Sequence, residues 1–353
     1  MTIGRLLETA AGLDSFWLKV AFLFFLVGYG TKMGLAPLHT WLPDAHSEAP
    51  SPVSALLSGA LLNCAFLGII RVHRLCVAAG EAEFSRSLLV LFGLLSMAVA
   101  AVFIIRQTDF KRMLAYSSVE HMGILAFGVG IGGAGVFGAM YHAFNHSLIK
   151  AALFLTAGNI LAAYRTKNVG DVTGVGKILP VTGALWMAGF LAITGSPPFG
   201  SFLSEFAILK AALDGGQTGA AVLYLALLAM IFIGMAGIVL RMTQGVAPTP
   251  SPDGGRENAF TLISPIVLLT IALALGLAVP ERLETAFQTV EASFTEEQPA
   301  SRHVRLEPVR RGRRPADTAN DPPARAGRSP FLRAGNPRPH RNTRGRNLAL
   351  DVR

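Results

Sequence analysis

The chain has 353 residues, 52% of them hydrophobic and only 15% charged, with a mean hydropathy of +0.48, against about 25% charged residues in a soluble domain. That composition excludes an ordinary soluble enzyme and specifies an all-α, polytopic membrane protein embedded in the lipid bilayer. The net charge of +9 does not call for a nucleic-acid partner: residues 301–353 hold 14 Arg, no Lys and four acidic groups, which leaves 17 basic and 18 acidic residues in 1–300.

Met1 to Ser15 is mildly polar and leads straight into a full-length apolar stretch, so no cleavable signal peptide is expected. Hydropathy and helix breakers predict eight spans of roughly the 20 residues needed to cross a bilayer: 16–38, 52–72, 86–106, 113–131, 134–163, 180–212, 219–241 and 260–279. Two of them read as discontinuous, the first at Lys32-Met-Gly-Leu-Ala-Pro37 and the sixth at Gly195-Ser-Pro-Pro-Phe-Gly200. Proline removes a backbone donor, and a broken span is tolerated at membrane depth only where protein or a cavity covers it.

The segment His39-Thr-Trp-Leu-Pro-Asp44-Ala-His46-Ser-Glu48 contains potential metal ligands, but its spacing matches no zinc or EF-hand pattern, and it reads as a proline-bounded polar loop. Cys64 and Cys76 lie twelve residues apart on one predicted helix; two thiols cannot hold an iron–sulfur cluster, and both read as packing residues. The glycines between Gly128 and Gly138 follow no strand and read as a turn between spans. No redox or catalytic arrangement is visible, so no cofactor is expected. The chain divides into a transmembrane domain over 1–280 and an Arg-rich tail over 281–353, whose charge and lack of an aliphatic run predict disorder. Basic residues in short loops place the loops after odd-numbered spans in the cytoplasm and both termini outside. The arginine tail then falls on the side that the rule disfavours, as an aberrant C-terminus would.

The chemistry rests on ionisable groups inside apolar stretches. Lys32, Glu120, Lys150 and Glu205 each lie at a depth where a charge costs about 3 kcal/mol. Four of them in lipid would cost roughly as much as the stability of a whole domain. They are therefore expected to face one another and water, as in an ion or proton path. His142, His146 and Lys150 are spaced i, i+4, i+8, which places all three on one helical face. Imidazole accepts and donates protons near neutral pH, so such a ladder suits a relay, although a lone intramembrane histidine commonly serves only as a helix–helix hydrogen bond. Lys32 and Glu205 sit at the two breaks, and Glu120-His121 lies mid-span. A lysine and a carboxylate at such depth stabilise each other's charge, so displacing one partner works as a switch.

Three motifs carry a family resemblance: YGTKMGLAPLHTWLPDAHSEAPSPVSALLSG (29–59), DFKRMLAYSSVEHMG (109–123) and ITGSPPFGSFLSEFAILKA (193–211). Over roughly 17–280 the chain is similar to the antiporter-like subunits of respiratory complex I, multisubunit Na⁺/H⁺ antiporters and membrane-bound hydrogenases, most of all to the F-type subunit of hydrogenase-4 and the membrane branch of formate hydrogenlyase. The resemblance implies that Lys32 is the lysine of the first broken helix, that His142, His146 and Lys150 form the central relay, and that Glu205 is the terminal group of the second broken helix. It implies a proton-translocating subunit of the bacterial inner membrane with no redox site of its own, serving a hydrogenase- or NADH dehydrogenase-type oxidoreductase. Its implied partners are the other membrane, hydrogenase or quinone-reductase subunits, and its implied cargo is protons, with Na⁺ as the alternative. Asn63 stands where some relatives have a lysine or histidine. Relatives also carry about six spans before the Lys32 helix, so the sequence reads as a C-terminal portion, either truncated or completed by another chain; a structural anchor with an inactive channel is the rival reading.

Residues from about 300 onward are expected to be dispensable, because a hydrophilic segment cannot replace helices in lipid. A chain ending at Gln298 should insert into membranes at the full-length level in a carbonate-extraction assay, whereas loss of insertion would give the tail a folded or docking role.

Overall fold

The computed structural model describes residues 3–246 and 257–295, and among them the chain is helical without a named strand. Seven helices are long and apolar enough to cross a membrane: α1 (Ser15–Met33), α3 (Ser51–Ala78), α4 (Ala82–Ile105), α5 (Phe110–Ile131), α6 (Ala134–Tyr164), α9 (Thr218–Gln244) and α10 (Ala259–Leu277). Between α1 and α3 lies the short α2 (Trp41–Glu48). The eighth expected span is the pair α7 (Pro180–Ile193) and α8 (Gly200–Asp214), interrupted at the predicted place. After α10 the chain forms α11 (Glu281–Thr295).

α5 is the central helix: 94% of its spanning window is buried, against 22–50% for the other spans. It carries small and polar residues where a lipid-facing helix would carry Leu and Phe, and that lets its neighbours approach closely. A Cβ at Gly123 would stand 2.7 Å from the Gly93 carbonyl oxygen of α4, and one at Gly93 would stand 2.7 Å from the Phe127 nitrogen. Backbones this close pack well without a hydrophobic force, as helix association in lipid requires. The lipid-compatible residues lie outside. Phe24, Val102, Val222 and Ile233 are 74%, 66%, 61% and 69% exposed.

Each break is sealed by side chains. α1 ends at Gly34 in the left-handed region (φ 84°), with the Gly34 and Leu35 N–H groups both donating to Gly30 O, and glycine suits that conformation because it has no Cβ. Across the gap, the Trp41 indole N–H donates to Thr31 O at 2.7 Å, and Ala36 N–H donates to Ser96 Oγ of α4 at 2.9 Å. At the second break, the Ser201 hydroxyl donates to Ala192 O. Gly276 of α10 lies so close to Pro198 and Gly200 that a Cβ there would overlap the Pro198 carbonyl. The Tyr141 hydroxyl donates to Leu275 O at 2.6 Å, holding α10 against α6. Both breaks therefore meet the rule that irregular backbone at membrane depth must find partners within the protein.

Two expectations are corrected. The segment read as a polar loop over His39–Glu48 is helical from Trp41: Pro43 falls in the first turn, where its missing N–H costs nothing, and Leu42, Pro43, His46 and Ser47 turn inward. The boundary at 280 also moves, because Glu281–Thr295 is helical. Leu283, Phe287, Val290 and Phe294 recur at helical spacing and form its less exposed face. Phe287 lies 6.2 Å from both Phe137 and Tyr141, and Phe294 stacks on His73 at 5.4 Å. The remaining tail, from residue 296, lies outside the described residues.

Gly123→Val should lower stability by about 1–3 kcal/mol through overpacking, measured by thermal unfolding in detergent. Gly237→Ala, where a Cβ would meet nothing within 4 Å, should leave it unchanged or slightly raised.

Candidate functional site

Six of the seven residues singled out from the sequence lie in the bundle interior. Glu120 and His121 of α5, with His142, His146 and Lys150 of α6, are at most 3% exposed, and Glu205 of α8 is 8% exposed. The α5 and α6 groups meet across one helix–helix seam, as the cost of a charge in hydrocarbon demands. Lys32 does not join them. It lies exposed in the last turn of α1 and lines a groove of about 330 Å³ with Phe24, Phe25, Gly28 and Tyr29. The common interior expected of Lys32, His146, Lys150 and Glu205 thus holds for three, because α1 packs with its Leu18, Phe22 and Leu26 face inward and Lys32 lies off that face.

A hydrogen-bonded line runs through the centre. His121 Nδ1 is 2.9 Å from His142 Nε2, and His142 Nδ1 is 2.9 Å from Ser204 Oγ, whose hydroxyl donates to Ser201 O at 2.7 Å. A hydroxyl has one proton. With Ser204 donating to a carbonyl, it must accept from His142 Nδ1–H; neutral His142 then accepts at Nε2, and His121 donates from Nδ1. His121 Nε2 is left as a buried lone pair without a partner. His146, with its ring 5.1 Å from that of His121, has no partner on either nitrogen, and Glu205 Oε1 and the Tyr224 hydroxyl are likewise unpaired. Buried polar atoms are nearly always satisfied, so a contiguous set of exceptions marks a place for water or an ion. Lys150 Nζ donates to Leu114 O at 2.8 Å and lies within electrostatic reach of Glu120, and Glu120 within that of Glu205.

The line approaches the surface at both ends. Glu205 borders a groove of about 340 Å³ between α8 and α9, lined also by Thr194, Ser196, Phe206 and Tyr224. Gly195, at φ 64°, passes directly over the carboxylate, and a Cβ there would overlap it. At the other end His46 is fully buried and stacked on Phe154 at 4.9 Å, with both ring nitrogens unpaired, and it interacts electrostatically with Lys150, Lys111 and His146. Beyond it Lys111 Nζ donates to Ser47 O and Ala49 O at 3.1 and 2.6 Å, capping α2. Lys167 donates to Glu48 at 2.8 Å, which holds that exposed carboxyl below its usual range, and Ser47 donates to Asp109 at 2.6 Å. Ser47, Glu48, Lys111 and Lys167 border a groove of about 480 Å³.

Sequence reasoning missed His46, Ser204 and Tyr224. Ser201, Ser204 and Glu205 fall at i, i+3, i+4, so one polar face of α8 was legible. His46 was hidden by the loop reading. Asn63 donates to Ala143 O at 3.1 Å and to Ser147 Oγ at 2.6 Å, and so joins α3 to α6.

The fold and site define a class: a multi-pass membrane protein with two interrupted spans and a buried line of histidine, lysine and carboxylate between them. Residues 2–243 match the family described as NADH:quinone oxidoreductase/Mrp antiporter, TM, and the chain belongs to that family. It is 40% identical over 287 residues to a hydrogenase-4 component F homolog of Methylacidiphilum infernorum (isolate V4), a match covering 80% of this chain and 59% of that protein. It is 30% identical over 323 residues to hydrogenase-4 component B of Escherichia coli (strain K12), covering 84% and 47%. The chain thus spans 47–59% of the length of these two curated relatives. Its fold is similar to that of a chain in the membrane-bound sulfane sulfur reductase, an archaeal respiratory membrane complex, with a TM-score of 0.75 at 23% identity, covering 84% of this chain and 60% of that one. A chain in the Mrp complex from Dietzia sp. DQ12-45-1b gives 0.71 at 21%, covering 83% and 65%.

Gly195→Ala should cost about 1–3 kcal/mol, because it strains a left-handed residue and displaces the Glu205 carboxylate. In a double-mutant cycle with Glu205→Ala, part of that loss should be recovered; strictly additive unfolding energies would show that the two do not touch.

Proposed function

We propose that this chain moves protons along the line His46, Lys150 with Glu120, His146, His121, His142 and Glu205, as an antiporter-like subunit of a membrane-bound hydrogenase or NADH:quinone oxidoreductase-type complex in a bacterial inner membrane. The observation that carries this reading is the buried His121–His142–Ser204 chain flanked by unpaired polar atoms. A neutral imidazole with a bare Nε2 takes up a proton there and releases one from Nδ1 toward its neighbour, so each ring passes a proton across itself. Lys150, tied to a single carbonyl, is free to change partners as Glu120 changes charge. Redox chemistry belongs to partner subunits, which bias the relay through the packed helices.

Lys32 belongs to this proposal at one remove. A charge in lipid costs about 3 kcal/mol, so its exposed groove among Phe24, Phe25 and Tyr29 is the natural seat of a partner helix or of water. The relatives' printed names, hydrogenase-4 components, support a hydrogenase-type assembly.

The test is proton uptake by membrane vesicles that contain the assembled complex, driven by its own electron donor and followed with a pH-sensitive dye. Lys150→Met and His121→Ala should each cut uptake by about a hundredfold or more, the scale of lost proton-transfer catalysis, with electron transfer and assembly retained. Uptake unchanged in both variants would make the chain a structural anchor, and uptake that rises with added Na⁺ would make it a sodium exchanger.

A further inference from the structure

We propose that His121, His142 and Glu205 form a binding site for a transition-metal dication of the Zn²⁺ class. Each offers one ligand atom, these atoms all lie within 4.8 Å of one another, and all three residues are buried. An independent observation points to a ligand: Glu205 Oε1 is buried without a hydrogen-bond partner.

The geometry of the two rings suits a metal. His121 Nδ1 and His142 Nε2 are 2.9 Å apart and share one proton. In a tetrahedral zinc site with bonds of about 2.0–2.1 Å, ligand nitrogens stand roughly 3.3 Å apart. Replacing the shared proton by the metal therefore needs the rings to part by a few tenths of an ångström. The His121 Nδ1 proton shifts to the bare Nε2 of the same ring, so both imidazoles bind as neutral ligands, a carboxylate oxygen forms the third bond, and no group is oxidised or reduced. The Glu205 carboxylate closes the set by rotating about its side chain, and a water completes it.

The surroundings hold the ligands in place. His142 donates its other ring N–H to Ser204 Oγ at 2.9 Å, the outer hydrogen bond that orients a metal-bound imidazole. Glu120 adds a second carboxylate within electrostatic reach of Glu205, opposed by the Lys150 ammonium. Two imidazoles and one carboxylate favour zinc and its neighbours over calcium or magnesium, which take six or more oxygens. Glu205 borders the groove between α8 and α9, and this is the way in. Metal binding stands on this geometry alone; its consequence, arrest of the relay where the two histidines exchange a proton, rests on the proposed proton function.

The test uses the untagged full-length chain in detergent, titrated calorimetrically with zinc chloride in two buffers of different ionisation enthalpy, together with zinc X-ray absorption of the loaded protein. The expected result is one zinc per chain and imidazole scattering in the spectrum. His121→Gln and Glu205→Gln should each weaken binding by about a hundredfold, and Ser204→Ala, which keeps every ligand, by about tenfold. Calcium chloride should give no heat. Zinc affinity unchanged in all three variants, a spectrum without imidazole, or no binding at millimolar zinc would each overturn the site. Zinc added to the vesicle assay separates the two proposals: binding with undiminished proton uptake refutes the relay and leaves the site standing.

Discussion

The structure depends on the cost of placing a charge or an unpaired polar group in hydrocarbon. Glu120, His121, His142, His146, Lys150 and Glu205 all lie within helices α5, α6 and α8, and no arrangement that turned them outward could persist in a bilayer. They turn inward together, and that forces α5 into the centre, where lipid cannot reach it on any side. Close packing follows from the same requirement. A helix carrying histidines and a glutamate along one side still has to be covered on the others, and Gly93 against Gly123 lets α4 do so at backbone distance.

The interrupted helices are the second expression of that constraint. Ending a helix inside the membrane leaves carbonyls and amides without partners, and side chains bond to three such backbone groups: Trp41 and Ser96 act at the first break, Ser201 at the second. The gain is local freedom. At the second break the chain passes over Glu205 through Gly195, so the carboxylate lies against backbone that is not locked into a helix. On the proposed relay, a group that exchanges partners is better placed beside such backbone than against an unbroken helix.

Side chains and surface grooves together bear on the proposed proton path. Its interior line is continuous in polar character but not in direct hydrogen bonds: His121 to His142 to Ser204 is bonded, while His146, His46 and Glu205 have unpaired atoms. Water suits such atoms, since it can both donate and accept. The grooves beside Lys111 and Lys167 at one end, and beside Glu205 at the other, lie at opposite limits of that line. On the proposed function, a path bonded in the middle and bordered by grooves at its ends would pass protons without an open pore.

The amino-acid sequence by itself determined what is set by composition and local period. The eight spans, both interruptions and the shared face of His142, His146 and Lys150 are all consequences of hydropathy, proline and 3.6-residue spacing, which act within a few residues. Three features needed the folded chain. His46 counts only because α2 folds back against α5 and brings its ring beside Phe154 of α6; Ser204 counts only because α8 lays its polar face on His142. Lys32 is the converse case. Its sequence context matched that of the buried groups, yet it lies outside, because which face of α1 packs inward depends on α3 and α4 and not on α1 alone. The helix at Glu281–Thr295 likewise has an apolar face too sparse to declare itself until Phe137, Tyr141 and His73 supply the surface it covers. Local rules decide where a helix begins and ends, whereas the direction in which each side chain points is decided by neighbours distant in sequence.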